Sequence, residues 1–446
     1  MQVYLTALGC RLNEAELQTW AAELSQYEIA ITTAIDKADF IILNTCAVTS
    51  EAARKSRQTI RKLHRQNPAA RLVVTGCYVS LEQDEVADIL GVDLIVSNQH
   101  KSQLPELMKA AYNWPSMPKQ AEEPDSTPLF NRNRERAFIK IQDGCRYRCT
   151  YCIVTIARGE ETSRSIEDIL NEIRQLQSAG VKEIVLTGVH VGGYGADIDT
   201  CLYDLVVAIL QQTDIPRIRF ASVEPWDLPD NFFELFANKR LMPHMHLPIQ
   251  SGSDAILRSM SRRCKSTEFM RLVDRARDQI ADFNITSDII AGFPGESEND
   301  LQMSLNIIEK AQFGHTHIFT YSRREGTKAA RLPNQIDEQI KKQRSKQLHE
   351  KALAVKKVSL ENMVGKNVEI LFEGKPDRID ENRYRSYGYT ENYHKAYIEM
   401  ENAIDLSNQI ISCKVTSADQ NIMLLSVEPM EDWSDKNARL MVNQLD

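Results

Sequence analysis

From residue 2 to about residue 330, short apolar runs alternate with longer segments whose apolar positions recur every three or four residues. Runs of that length predict buried parallel strands, and the segments between them amphipathic helices. The first stretch supplies VYLTAL (3–8), FIILNT (40–45), RLVVTG (71–76) and DLIVSN (93–98). Residues 113–130, NWPSMPKQAEEPDSTPLF, break the pattern with Pro115, Pro118, Pro124 and Pro128 and predict an extended linker. A second block contributes AFIKIQ (137–142), EIVLTG (183–188), RIRFAS (217–222), HMHLPI (244–249), ITSDIIAG (285–292) and HTHIFTYS (315–322). Six strands alternating with helices predict a partial (βα)6 barrel, whose site lies at the C-terminal strand ends. Residues 338–357 read as a basic helix carrying Lys341, Lys342, Arg344, Lys346, Lys351, Lys356 and Lys357. Beyond it, NVEILFEG (367–374), YRSYGYTENYHKAYIEM (384–400), ISCKVTSA (411–418) and NIMLLSVE (421–428) predict a small β-barrel, followed by a polar tail. The fold class expected is α/β: an N-terminal parallel domain, a partial barrel and a C-terminal β-barrel.

Length agrees, since 446 residues at roughly 150 per domain allow about three domains. Hydrophobic residues at 42% and charged residues at 26% are ordinary for a globular chain. No apolar run approaches the roughly 20 residues of a membrane helix, and MQVYLTALGCRLNEAE lacks a signal-peptide core, so the expectation is a cytoplasmic protein without a membrane partner. With 54 basic against 62 acidic residues the net charge is −8, so any polyanion must meet a local basic patch. Nine cysteines, an odd number, argue against a disulfide framework and for metal or redox chemistry.

The cysteines divide into two constellations. Cys145, Cys149 and Cys152 form CRYRCTYC directly after a predicted strand. Three thiolates are one short of a closed zinc site, and no nearby histidine supplies the fourth ligand. A four-iron cluster held by three thiolates leaves one iron open to an exogenous ligand, the logic of the radical S-adenosylmethionine (SAM) superfamily. Cys10, Cys46 and Cys77 are distant in sequence, yet each immediately follows an apolar run: VYLTALGC, FIILNTC, RLVVTGC. Parallel strands deliver such positions to one crevice, so a second cluster with an open iron is expected there. Cys201, Cys264 and Cys413 have no such company and read as core or incidental thiols.

Ten ordered segments, LGCRLNEAE, NTCAVTSEAARKSRQ, VVTGCY, CRYRCTYC, LTGVHVGGYG, ASVEPWDL, HLPIQSGSD, SDIIAGFPGE, YSRREGT and GYTENY, resemble the methylthiotransferase family of radical SAM enzymes. That resemblance implies an N-terminal methylthiotransferase domain holding the auxiliary cluster (1–112), a linker (113–130), a radical SAM domain (131–361) and a TRAM domain (362–430). It also implies two [4Fe-4S] clusters, one on Cys10, Cys46 and Cys77, the other on Cys145, Cys149 and Cys152, with two SAM molecules consumed per turnover. Reductive SAM cleavage at the latter would give a 5′-deoxyadenosyl radical that takes the C2 hydrogen of adenine. The other cluster would deliver a methylated sulfur, while the protein aligns the parts. NTCAVTSEAARKSRQTIRKLHRQNPAARLVVTGCY looks most like the branch acting on N6-threonylcarbamoyladenosine (t6A) at position 37 of tRNA. The other branches act on N6-isopentenyladenosine in tRNA or on a ribosomal-protein aspartate; a non-catalytic iron–sulfur RNA-binding protein is a remoter alternative. MSRRCKS departs from the family pattern by placing Cys264 where an aromatic residue is expected.

SAM contacts are expected at Tyr151 and at strand ends rich in small or polar residues: Thr187, Gly188, Ser222, Glu224, Gln250, Ser251, Gly292 and Gly295. For a tRNA anticodon stem-loop, Arg54, Arg57, Arg61 and Arg65 follow helical spacing and form one basic face. Tyr384, Tyr387, Tyr389, Tyr393 and Tyr397 suit RNA stacking, although several belong to barrel core. Arg323 and Arg324 are the candidates to meet the threonylcarbamoyl carboxylate. An electron donor such as flavodoxin or ferredoxin is implied; the sulfur donor is not written in the sequence.

Overall fold

The computed structural model describes residues 1–27, 29–112 and 135–430; the proline-rich segment at 113–130 and the polar tail lie outside the described residues. Five parallel strands open the chain: β1 (Gln2–Ala7), β2 (Ala30–Thr32), β3 (Phe40–Thr45), β4 (Arg71–Gly76) and β5 (Val92–Val96), in the order β2-β1-β3-β4-β5. Every residue of β3 is buried, because both faces of the sheet are covered. Ile41 and Leu43 pack toward α2 (Ser50–Gln66), α3 (Cys77–Leu81) and α4 (Gln83–Ala87). Phe40 and Ile42 pack toward α1 (Arg11–Ser25) and α5 (Leu104–Tyr112). Strand β2 was not foreseen in the sequence, because its three residues are exposed or half-buried and leave no apolar run.

A second parallel array holds β6 (Arg136–Lys140), a short hairpin β7 (Gln142–Asp143) and β8 (Thr162–Ser163), then β9 (Glu183–Thr187), β10 (Arg217–Phe220), β11 (His244–His246), β12 (Asn284–Ala291) and β13 (His315–Thr320). Sheets β10-β9-β6 and β11-β12-β13 are joined by parallel bridges Ile218–Leu241 and Ser222–His246, so the strands form one open six-stranded barrel. Five of the six strands are shorter than their apolar runs, and β12 keeps all eight residues, shifted by one. Helices α6 (Val154–Arg158), α7 (Ile166–Ser178), α8 (Leu202–Gln212), α9 (Asp254–Ser259), α10 (Ser266–Gln279) and α11 (Glu298–Ala311) connect them. Ile184, Leu186, Ile218, Phe220, Met245, Ile285 and Ile289 alternate toward the helix layer. Between them Val185, Arg219, Thr286 and Asp288 face the lumen, which mixes apolar and polar side chains.

Helix α12 (Glu338–Glu361) leads into a closed barrel β14-β15-β16-β18-β17, formed by β14 (Asn367–Arg378), β15 (Tyr384–Tyr389), β16 (Lys395–Met400), β17 (Ile410–Asp419) and β18 (Leu424–Pro429). One expectation is corrected here. The run 384–400 is two strands, because Tyr393 takes φ +69° and the His394 N–H donates to Thr390 Oγ1 at 2.9 Å, closing a turn. On the basic helix α12, Lys341 and Arg344 are buried, Arg344 donating to Glu296 Oε2 at 2.9 Å.

The two barrels are joined by buried arginines. Glu183, fully buried in the lumen, pairs with Arg136 and with Arg219 Nε at 2.8 Å. Arg217 donates to the Glu369 carbonyl at 2.8 Å, and Arg219 to the Glu391 and Thr390 carbonyls at 2.7 and 2.8 Å. These cations hold the Glu183 carboxyl down at about 2 against the opposing cost of burial. A depressed carboxylate pKa contributes stability above the unfolded value near 4.5 that is lost as pH falls toward 2. Urea unfolding of wild type and Glu183→Gln is therefore expected to show a difference on the order of 3 kcal/mol at pH 7 that shrinks between pH 5 and 2. A pH-independent difference would show that Glu183 acts through packing alone.

Candidate active site with two thiol triads

Strands β1, β3 and β4 are neighbours, and Cys10, Cys46 and Cys77 follow their C-terminal ends. Cys10 caps α1 and Cys77 opens α3. Glycine makes their approach possible: at Gly9, with φ +95°, a Cβ would lie 2.6 Å from Cys46 Sγ. Ser56 clamps Cys46, its hydroxyl donating to the Cys46 carbonyl at 2.8 Å and accepting from the Cys46 N–H at 3.2 Å. Asn13 donates to the carbonyls of Leu8 (2.7 Å) and Thr45 (3.2 Å), and its oxygen receives the Cys10 thiol at 3.7 Å. Burial pushes the Cys46 thiol up to about 11 and raises Cys10 too, and the neighbouring thiols add to both shifts. Such thiols stay protonated at neutral pH until a metal displaces the proton. The donor set and the space that Gly9 leaves open fit a thiolate-held cluster.

Cys145, Cys149 and Cys152 lie on the loop between β7 and α6. Gly144, at φ +68°, lets that loop pass against the Glu160 carbonyl. Thr150 ties it down, donating its hydroxyl to the Ser259 carbonyl at 2.8 Å and its N–H to the Met260 carbonyl at 3.0 Å. Burial raises Cys145 to about 12 and Cys152 to about 11. Among the described residues, Glu161 and His190 bring ligand atoms within 4.8 Å of Cys145. Both His190 nitrogens are already engaged, Nδ1 with Glu161 and Nε2 with Asp227 Oδ2 at 2.6 Å, so the imidazole is not a free fourth ligand. Three thiols with one open position fit a four-iron cluster that binds an exogenous ligand.

Around this loop sits a layer of polar and aromatic side chains that sequence reasoning missed. Tyr147 donates to Asp227 Oδ1 at 2.7 Å, Arg146 pairs with Glu161 at 3.1 Å, and Arg262 lies 4.2 Å over Trp226. Glu224 faces it with a buried Oε2 that has no hydrogen-bond partner, and burial raises its carboxyl. Trp226 Nε1 and Tyr321 OH are buried and unpartnered as well. Such orphans mark a place where a polar ligand completes the bonding. Of the other candidate SAM contacts, Tyr151 packs beside Phe293 and Tyr321. Thr187 and Ser222 stand at the ends of β9 and β10, and Gln250 takes φ +76° beyond β11. Gly188 packs on Gln142, whose Oε1 accepts from the Val189 and His190 N–H groups. The Ser251 hydroxyl accepts from Ser253 N–H at 3.2 Å, while Gly292 and Gly295 take φ +73° and +83° in turns.

One buried ion network bridges the two centres. Arg158, six residues beyond Cys152, donates to Asn13 Oδ1 (2.7 Å), Glu16 Oε1 (3.1 Å) and Asp143 Oδ1 (2.9 Å). Lys101 and Lys140 pair with the same Glu16 oxygen at 2.6 and 3.2 Å, and Lys140 with Asp143 at 2.7 Å. Those cations keep Glu16 ionised despite its burial. Asn13 touches Cys10 and Asp143 lies two residues before Cys145, so the network spans both thiol centres.

The N-terminal basic helix is α2. Ala53, Ser56, Ile60 and Leu63 are its buried face; Arg54, Arg61 and Arg65 are exposed beside it. Arg57 is half-buried, bonded to Glu85 at 3.2 Å and to Tyr78. In the C-terminal barrel, Tyr389 and Tyr393 stack on each other at 4.8 Å and carry Arg136 and Arg219 on their faces, so they belong to the seam between barrels. Tyr397 is buried; Tyr384 and Tyr387 are half-buried. Cys264 is a core thiol of the central barrel and Cys413 of the C-terminal one, while Cys201 is exposed against Asp204.

An open six-stranded parallel barrel with a three-thiol loop after its first strand defines a radical SAM enzyme. Residues 139–308 match the Radical SAM superfamily model, and residues 2–97 match the Uncharacterized protein family UPF0004. The threonylcarbamoyladenosine tRNA methylthiotransferase MtaB of Thermotoga maritima is 33% identical over 90% of this chain and 91% of its own length. The tRNA-2-methylthio-N(6)-dimethylallyladenosine synthases of Staphylococcus saprophyticus and Ehrlichia canis are 34% and 33% identical, over 83% and 94% of this chain and 75% and 98% of their own. The chain belongs to the methylthiotransferase family of radical SAM enzymes. The radical SAM methyltransferase TsrM of Kitasatospora setae shares the fold, with a TM-score of 0.55 at 15% identity over 74% of this chain and 76% of that one. Radical SAM chemistry implies SAM and a [4Fe-4S] cluster. Among the described residues no helix is long and apolar enough to cross a membrane.

Proposed function

We propose that this enzyme converts N6-threonylcarbamoyladenosine at position 37 of tRNA to its 2-methylthio derivative, working in the cytoplasm with a low-potential donor such as flavodoxin or ferredoxin. The observation that supports the transfer chemistry is the Arg158 network, which ties Asn13, beside Cys10, to Asp143, two residues before Cys145. Cys145, Cys149 and Cys152 would hold one [4Fe-4S] cluster and Cys10, Cys46 and Cys77 another, in domains bounded at 1–112, 131–361 and 362–430. When bound, the first supplies reductive cleavage of SAM and the second the sulfur. The chain's own task is placement: Glu224 offers a buried acceptor to a cationic ligand group, and Asn13 and Ser56 fix the thiol-bearing loops.

The preference for t6A comes from the N-terminal segment NTCAVTSEAARKSRQ, since relatives named for both modified adenosines match this chain alike, and Arg323 and Arg324 are the candidates to read the substituent. Both arginines follow β13, and Arg324 Nε is buried without a partner. Ser322 ties their loop to the N-terminal domain, its hydroxyl accepting from the Ser50 N–H at 3.2 Å. Threonylcarbamoyl carries a carboxylate, isopentenyl does not. A site that pairs a polar group rejects the analogue lacking it strongly. The test incubates the reconstituted enzyme with tRNA bearing each modification; product on the t6A form, abolished in Arg324→Gln, is expected. Product only on the isopentenyl form would overturn the substrate while leaving the reaction class.

For tRNA docking, neutralising Arg54, Arg61 and Arg65 is expected to flatten the salt dependence of binding by up to about 0.9 for each phosphate that is no longer paired. Arg57, held by Glu85 and Tyr78, is expected to contribute less. Filter binding across a salt series reads both, and an unchanged slope would leave α2 a merely solvated surface.

A further inference from the structure

Between the lumen of the central barrel and the C-terminal barrel lies a cavity of about 530 Å³; His246, Thr286 and His317 line it together with Tyr389 and Tyr393. Neither the thiol centres nor the substrate reading uses this imidazole cluster. His246, Asp288 and His317 come from consecutive strands β11, β12 and β13. In register, His246 faces Thr286 and Asp288 faces His317, so alternation puts all three side chains on the lumen side. Their ligand atoms lie within 4.8 Å of one another, and His246 Nε2 stands 3.2 Å from Asp288 Oδ1. That spacing matches the edge of a coordination tetrahedron, roughly 3.3 Å for metal–ligand bonds of 2.0–2.1 Å. The other nitrogen of His246 meets Thr286 Oγ1 at 2.9 Å, and the same hydroxyl meets His244 Nε2 at 3.1 Å. A hydrogen bond to the far side of a metal-binding imidazole holds the ring in orientation.

We propose that His246, Asp288 and His317 form a divalent metal site of the two-histidine, one-carboxylate type. Its cation is of the zinc class, and its open positions face the cavity, where water or an oxygen atom of a bound ligand completes the coordination. None of its three ligands belongs to either thiol triad, and the site does not depend on which adenosine is the substrate.

The test uses the reconstituted holoenzyme, exposed anaerobically to zinc and passed over a chelating resin, with zinc and iron counted by mass spectrometry. Wild type is expected to retain about one zinc per chain more than His246→Gln and Asp288→Asn, at equal iron. Thr286→Val keeps all three ligands and is expected to weaken zinc affinity roughly 10- to 100-fold, which a plain His246–Asp288 ion pair would not produce. Should His246→Gln lose iron through misfolding, Asp288→Asn and Thr286→Val decide. Equal zinc in wild type and every variant of intact iron content would overturn the site and leave an ion pair.

Discussion

Alanine at Cys145, Cys149 and Cys152 together is expected to halve the iron bound after anaerobic reconstitution and to abolish SAM cleavage. Alanine at Cys10, Cys46 and Cys77 is expected to halve the iron as well, yet to leave formation of 5′-deoxyadenosine without methylthiolated product. The asymmetry follows from position. The first triad sits on the loop beside Glu224, Trp226 and Tyr321, each with a buried polar atom that makes no hydrogen bond. The second sits at the ends of β1, β3 and β4, enclosed by Asn13, Ser56 and Asn98. Burial keeps the metal-free Cys46 and Cys145 thiols protonated, so loading releases protons and is expected to go further at pH 8.5 than at pH 6.5. Iron and acid-labile sulfide counts on both triple variants are the measurement. Full iron in the second variant would remove the N-terminal cluster, and the transfer reading with it.

The thiol centres were visible in the sequence because their logic is local. Each N-terminal cysteine follows an apolar run, and a parallel sheet delivers strand ends to one edge. CRYRCTYC carries its spacing within one loop. The strands β3 and β4 were equally plain, since a sheet covered on both faces writes an unbroken apolar run. What escaped was held together by distance. Arg158 reaches Glu16 across 142 positions, and no periodicity links them. Arg217 and Arg219 read as polar members of a strand, although they clamp the C-terminal barrel through its carbonyls. His190, within LTGVHVGGYG, is wedged between two carboxylates. Buried charges of this kind leave only a polar letter in an apolar context, and the partner that makes the letter sensible is set by the tertiary fold.

Arg158 is the buried charge with the most to do. Its side chain is 2% exposed and ion-paired with buried Glu16 and half-buried Asp143, so its removal leaves both carboxylates to Lys101 and Lys140. Breaking a buried network by deleting one member costs roughly 3–5 kcal/mol, and Arg158→Met is expected to lose stability on that scale. The effect on turnover is expected to be larger and more specific. Asn13, which Arg158 holds at 2.7 Å, touches Cys10, and Asp143 leads into the Cys145 loop, so the arginine sets how one centre faces the other. A misplacement near 1 Å costs on the order of 100-fold in rate when reacting groups must meet. Arg158→Met is therefore expected to raise the 5′-deoxyadenosine formed per methylthiolated tRNA by about that factor, at unchanged iron. Arg158→Lys keeps the charge without the forked geometry and is expected to fall between; Glu16→Gln, which touches neither thiol triad, is expected to move in the same direction as Arg158→Met. If Arg158→Met lost stability but kept the wild-type product ratio, Arg158 would be a fold residue alone, and the two centres would owe their alignment to the backbone.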